Sequence, residues 1–383
     1  MVPLAMVAIG ALVACSLAID TDHLRNGGPA ADGRSDAGDA VAPFDADTDA
    51  AFDAAAEDDT APTTDSPSPI IGAVFTLGGS EGTTTITHTP DVLRLEIHAD
   101  GTVGHWTVEA PMPAAAAACA SASSGRTLYV LGGDVSGLTT QSARFAPIVS
   151  GFRLGDWSTA TKLPDDRIKL GAVATDSHVY AIGGQTGATG ATVHADALVA
   201  ASNPDGSLGA WTTTTSLPAP RFGLATLTVG GYVYAIAGAA TPGGPGESTV
   251  FKSKIAADGS LSAWTTTAPL PAGLVGTSGA VIGTRLFVVG GYGGAHAVHY
   301  AQPDASGDVA AWTTASSTMT SPHAFFGLAA TGSFLVSMAG FDDGSASTDV
   351  VEIATLSGGS LGAFRTIEKL PAARRFVGGF GVP

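Results

Sequence analysis

Asp205-Gly206-Ser207-Leu208-Gly209-Ala210-Trp211, followed by Leu217-Pro218, Arg221 and Tyr234-Ala235-Ile236-Ala237-Gly238, decides how the rest of the chain is read. The same order returns as Asp258-Gly259-Ser260-Leu261-Ser262-Ala263-Trp264, then Leu270-Pro271 and Phe287-Val288-Val289-Gly290-Gly291. A repeat of about fifty residues is a supersecondary unit stacked on copies of itself. Aligned on the indole, the unit recurs at Trp106, Trp157, Trp211, Trp264 and Trp312, and at Phe364 in the tryptophan's place. All five tryptophans of the chain are therefore repeat markers, and none is left for a special site.

Between anchors the order is constant. A Leu-Pro pair or a relative of it precedes an alternating apolar stretch; a second apolar stretch ends in Gly-Gly; a polar loop, a third strand and a tight turn lead to the next anchor. That is four antiparallel strands per unit. The Gly-Gly ends are Leu77-Gly78-Gly79, Leu131-Gly132-Gly133, Ile182-Gly183-Gly184 and Val289-Gly290-Gly291, with Ala-Gly at Ile236-Ala237-Gly238 and Met338-Ala339-Gly340. Asp100-Gly101, Asp205-Gly206 and Asp258-Gly259 carry turn chemistry between the third and fourth strands. Composition agrees: 51 glycines and only 13% charged residues in 383, with 45% hydrophobic, suit short strands and many turns around a large core.

Four-stranded units with Gly-Gly after the second strand and an indole at the fourth resemble kelch repeats, in the bacterial form with an Asp-Gly-x-Leu-x-x-Trp turn. The Tyr-Asp pair common in the third strand of that family is mostly missing. The resemblance implies an all-β, six-bladed kelch-like β-propeller over residues 70–383. The chain ends support that number. Gly72 to Leu77 reads as a second strand and Arg375 to Val382 as a lone first strand, so the termini together complete one blade and close the ring. The other blades begin at Ala114, Arg167, Arg221, Leu274 and His323.

The N-terminal part is a different polymer. Residues 1–19 carry no charged side chain, and Val2 to Ala14 is an apolar run too short to span a bilayer and suited to a secretory signal. Leu12-Val13-Ala14-Cys15 resembles a bacterial lipobox, which implies cleavage before Cys15 and lipidation of it. The n-region Met1-Val2-Pro3 lacks the usual Lys or Arg, and an ordinary signal remains the alternative. Residues 20–69 are rich in Asp, Ala, Thr and Pro. Thirteen acids face two bases there, a net of −11 out of the chain's −17, which reads as an extended disordered tether. Asp45-x-Asp47-x-Asp49 lacks the turn glycine and the later glutamate of a calcium loop.

Function is sought where blade loops meet. The residue three places after each Leu-Pro pair is expected near the channel mouth: Arg167, Arg221, Leu274, His323 and Arg374, with Ala116 at the equivalent place in the second blade. Three guanidiniums around an axis could hold a carboxylate or an acidic sugar. Pairing with carboxylates of the chain itself, such as Asp165 and Asp166, is the competing expectation. Loops after Gly-Gly add Ser80, Glu81, Asp134, Gln185, Tyr292, Phe341, Asp342 and Asp343 on the same face.

Enzyme readings find little. The copper site of galactose oxidase, which shares this repeat, needs a cysteine cross-linked to a tyrosine, and Cys119 sits inside an alternating core strand. His296 and His299 fall on opposite faces of a strand. No Ser-His-Asp set can be assigned from sequence. No cofactor and no metal are expected. The reading is a monomeric, lipid-anchored envelope protein at the outer membrane, binding a protein or glycan at its channel face, with no nucleic-acid partner and no membrane contact beyond the anchor. Two alternatives stay open: a cofactor-free mutarotase for an acidic sugar, using Arg167, Arg221 or Arg374 to bind and Glu81 or His323 to move the proton, and a purely structural surface module.

Overall fold

A computed structural model of the chain describes residues 68–383 except 83–85, 188–190, 295, 322 and 342–345. The signal, Cys15, nearly all of the tether, and Asp342 and Asp343 lie outside the described residues. Ser68–Pro383 forms one compact unit. Every regular element described is a β-strand, and the strands pair antiparallel.

Six sheets carry the fold. The first is ordered Gly378–Val382, Ile70–Leu77, Val92–His98, Thr107–Val108; the third is Gly171–Ala174, His178–Ile182, Ala197–Ala201, Thr212–Thr214. The fourth and fifth sheets follow the third in order, starting at Ala225–Val229 and Ser278–Ile282, while the second and sixth, starting at Ala120–Ser123 and Gly327–Thr331, have five strands each. The expected partnership of the chain ends is present: Phe75 stands opposite Phe380 in the ladder, and their rings stack at 4.6 Å.

Second strands such as Thr127–Leu131 are buried along their whole length, because both faces of the sheet are covered. Apolar clusters lie between successive sheets. Leu131 and Phe145 of the second pack with Val179 and Leu198 of the third; Val74 and Leu95 of the first pack with Val336 and Met338 of the sixth. First strands of neighbouring sheets lie beside one another, including Gly378–Val382 beside both Gly327–Thr331 and Ala120–Ser123. The arrangement is propeller-like.

The repeated residues join sheets. The Nε1–H of Trp157, Trp211, Trp264 and Trp312 donates to the backbone oxygen of Ala110, Thr161, Thr215 and Ala268, each in the preceding unit, at 2.8–2.9 Å. Trp106 reaches Glu368 O at 3.1 Å, from the first sheet to the last unit. Phe364 has no N–H to offer, so its junction relies on packing alone at that point. On the second strands, Tyr180 and Tyr234 send their hydroxyls to Gly259 O and Gly307 O in the next unit's turn, both 2.8 Å. Burial pushes the Tyr180 phenol up to about 12. The Asp-Gly turns are tied by their own aspartates: Asp205 Oδ1 accepts from the amide and hydroxyl of Ser207, and Asp258 from those of Ser260. A fourth turn of this kind, Asp304 to Ser306, has alanine where the others have glycine.

Candidate functional site

The two sets of residues expected at the mouth are brought together by the backbone. The residue after each Gly-Gly pairs with the residue following the Arg position: Asp134 with Ala117, Gln185 with Ile168, Tyr292 with Val275, Phe341 with Ala324, and Ser80 with Arg375. The second glycine of each pair donates its amide to the carbonyl of the Arg position in the next unit, as in Gly133 to Arg167 and Gly184 to Arg221, both 2.7 Å. Gly133 does this with φ of +106°, a conformation that favours glycine.

The side chains at the Arg position are buried. Arg167 is fully buried; its Nη2 lies 2.6 Å from Asp196 and its Nη1 donates to Gly183 O at 3.0 Å. Asp165, the expected partner, is more distant at 3.8 Å. Arg374 is buried between Glu81 (2.7 Å) and Asp91 (2.9 Å). Arg221 stacks on Phe251 at 5.5 Å and has Glu247 at 3.9 Å; burial lowers its pKa. His323 points Nδ1 at Ala339 O, 2.5 Å, and Nε2 at the buried carboxylate of Glu352, 3.4 Å. Burial alone would raise Glu352, but hydrogen bonds from His323, Thr320 and Ser321 hold it below the usual carboxylate range. Leu274 and Ala116, also buried, fill the same position in the other two units. A place where an ion-paired arginine, a histidine, a leucine and an alanine are equivalent is a junction between sheets.

Two residues further on, the chain turns to the axis. Ala118, Lys169, Gly223, Gly276, Phe325 and Phe376 all adopt left-handed backbone, with φ between +51° and +70°. For residues with a Cβ this costs about 1–2 kcal/mol each. It is offset by a set of hydrogen bonds. Lys169 N donates to Ala118 O, Gly223 N to Lys169 O, Gly276 N to Gly223 O, Phe325 N to Gly276 O and Phe376 N to Phe325 O, each 2.8 Å; Ala118 N donates to Phe376 O at 3.0 Å.

These residues line a cavity of about 150 Å³, with Ser121, Thr226, Thr277 and Ser278 along its wall. None of Arg167, Arg221, His323 and Arg374 lines it. Its lip is aromatic. Phe325 and Phe376 lie 4.9 Å apart, Phe341 meets Phe376 edge-on at 5.1 Å, and Tyr292 approaches Phe325 and Phe341 at 6.1 and 6.4 Å. Tyr292 is exposed. Over this cluster sits Lys169, its Nζ 5.3–5.5 Å from the ring centres of Phe222, Phe325 and Phe376. Among the described residues it makes no ion pair, and burial lowers its pKa. Arg375 lies over Phe341 at 5.0 Å.

Lys169 and the phenylalanines were missed in the sequence, apart from Phe341. The signal that could have found them is five places after Leu-Pro, where two of six units carry glycine.

Three other expected residues have local roles. Gln185 is buried beside the bridge to Ile168, and Glu81 is turned to Arg374. Asp134 accepts from His88 Nε2 at 2.9 Å, whose Nδ1 faces Ser80 Oγ at 2.9 Å. That order matches a Ser-His-Asp relay, but Ser80 is 2% exposed and none of the three lines the cavity. The set pins the first unit's loop to the second. Cys119 lines the cavity wall, and burial pushes its thiol up, away from the reactive thiolate. No group of three or more His, Cys, Asp or Glu that could hold a metal is found among the described residues.

No protein-family model matches the chain, and no curated protein matches it in sequence. Among solved structures it is similar to YjhT, with a TM-score of 0.58 and 16% identity, over 78% of this chain and 99% of that one. At that identity the likeness is one of fold.

Proposed function

We propose that the chain is an envelope protein, held by lipid on Cys15 through its acidic tether, whose six-bladed propeller binds a protein or glycan at the channel face. Six blades closed as one ring are supported by the pairing of Gly378–Val382 with Ile70–Leu77, and by the axial hydrogen bonds that run from Ala118 through Phe376 and back.

One observation carries the binding reading. At the axial mouth, five aromatic rings, two of them lining the cavity, surround a lysine ammonium without a described carboxylate partner, whereas Arg167 and Arg374 nearby are already paired with carboxylates. Apolar faces with a few convergent polar groups are the composition of a ligand site, and a half-buried cation with no ion pair among the described residues favours a partner from outside. The mutarotase alternative asks Arg167, Arg221 or Arg374 to hold a substrate carboxylate. Each guanidinium here already faces a carboxylate of the chain or a backbone oxygen, so the binding reading is the better supported.

The test is retention of glycans and envelope-protein extracts on the immobilised Ser68–Pro383 unit. Tyr292→Ala and Phe341→Ala should each weaken retention at least tenfold with the melting temperature unchanged. No specific retention by the wild type would favour the structural module instead, and equal retention by wild type and both variants would contradict the site at this mouth. Incorporation of a labelled fatty acid that disappears in Cys15→Ala would support the anchor.

A further inference from the structure

Of the chain's five lysines, four are in ordinary surroundings. Lys252 pairs with Asp308 at 2.8 Å and Lys369 with Asp349 at 3.1 Å, while Lys162 and Lys254 are exposed. Lys169 is half-buried against three phenyl faces and borders a cavity whose lining contains no acidic side chain. The folded framework uses its backbone, through the axial hydrogen bonds, and among the described residues the amine makes no ion pair.

We propose that Lys169 is a carbonyl-reactive amine that captures a small aldehyde or ketone as an imine in the axial cavity. The Nζ lone pair attacks the carbonyl carbon, a C–N bond forms, and the C=O π pair moves to oxygen. Transfer of a proton from nitrogen to oxygen gives the carbinolamine. Its hydroxyl takes up a proton and leaves as water while the nitrogen lone pair closes the C=N bond, and the iminium N–H then returns that proton to solvent. Atoms balance as amine plus carbonyl to imine plus water, with no oxidant or reductant.

Three features of the site suit that sequence. A lysine partly removed from water against three phenyl faces, with no carboxylate paired to it among the described residues, presents more free amine at neutral pH; desolvation is the usual way such lysines are activated. The aromatic faces return part of the lost solvation and hold the amine in place. Ser121, Thr277 and Ser278 donate their hydroxyl hydrogens to Gly379 O, Val289 O and Phe326 O. Their oxygens keep lone pairs that can accept from a carbinolamine hydroxyl. A volume of about 150 Å³ limits the buried part of the substrate to a few heavy atoms, and anything longer passes the lip at Tyr292 and Phe341.

This inference uses the same mouth as the binding reading but does not depend on the identity of the natural ligand. The test is reductive trapping of the unmodified folded protein with butyraldehyde and sodium cyanoborohydride between pH 6 and 9, followed by peptide mass mapping over time. Lys162 and Lys254 are exposed internal controls. The expected result is labelling of Lys169 at least tenfold faster than either control at pH 7, with a rate midpoint at lower pH. Labelling no faster than the controls at any pH would overturn it. Slow trapping beside aromatic-dependent ligand retention would remove the imine and leave the binding reading; fast trapping with no retention would do the reverse.

Discussion

The tryptophan belt and the axial mouth are built from the same number of equivalent positions and treat them in opposite ways. At the belt, five of six positions hold the same residue making the same hydrogen bond to the neighbouring unit. At the mouth, the six left-handed positions share a backbone conformation but carry alanine, lysine, two glycines and two phenylalanines. Repetition goes where every junction has the same mechanical task. Inequality goes where an asymmetric ligand would need unequal lips.

The largest effect is expected at the junction of the chain ends. Deleting residues 373–383 removes Gly378–Val382, leaves one edge of Ile70–Leu77 unpaired, and uncovers Phe75 on one face and Val74 on the other. Cooperative thermal unfolding should be lost or its midpoint lowered by more than 15 °C, a large effect by the scale of a few degrees per kcal/mol. A truncated chain melting like the full one would contradict the shared sheet.

The next largest effect separates two cations two residues apart. Arg167→Ala strands the Asp196 carboxylate and empties a buried space, and should cost about 3 kcal/mol in denaturant unfolding. Lys169→Met keeps the aliphatic stem over the rings and should change stability by no more than about 0.5 kcal/mol. Equal losses would mean that both serve the framework.

At the belt, Trp264→Phe leaves Thr215 O without its donor and should cost about 1 kcal/mol. The unit carrying Phe364 already lacks this bond, so Phe364→Leu should change only packing.

A smaller effect is expected with pH. Burial lowers the pKa of His299, so the unfolded chain takes up a proton there before the folded one does. Stability from this group is present above the unfolded value of about 6.5 and is lost as pH falls through the lowered folded value. His194 adds to the same slope. His299→Gln should make the fall in melting temperature between pH 7 and 5 shallower; an unchanged slope would show that His299 contributes nothing to it.

Much of the architecture was legible in the sequence because its determinants recur. Tryptophan, Gly-Gly and the aspartate turns make backbone contacts that must be repeated at every junction, so a period of about fifty residues exposes them. The mouth was only half legible. Counting from Leu-Pro located the correct stretch, and charge drew the reading to Arg167, Arg221, His323 and Arg374. Periodicity fixes where a residue falls along a strand and assumes extended backbone on either side. Lys169, Phe325 and Phe376 adopt a left-handed turn instead, which swings the chain to the axis two residues after the arginines. Gly223 and Gly276, tolerant of that conformation, were the available clue. The carboxylates that satisfy the arginines, Asp196 and Asp91, stand just before third strands. Only the strand pairing brings them within reach.

The most direct test of the division between belt and mouth sets Tyr292→Ala beside Trp264→Phe, measuring ligand retention and melting temperature on both. Tyr292→Ala should lose retention at least tenfold with its melting temperature within a degree of wild type, while Trp264→Phe should melt about 2 °C lower and retain ligand normally. Retention that follows the melting temperature in both variants would contradict the account.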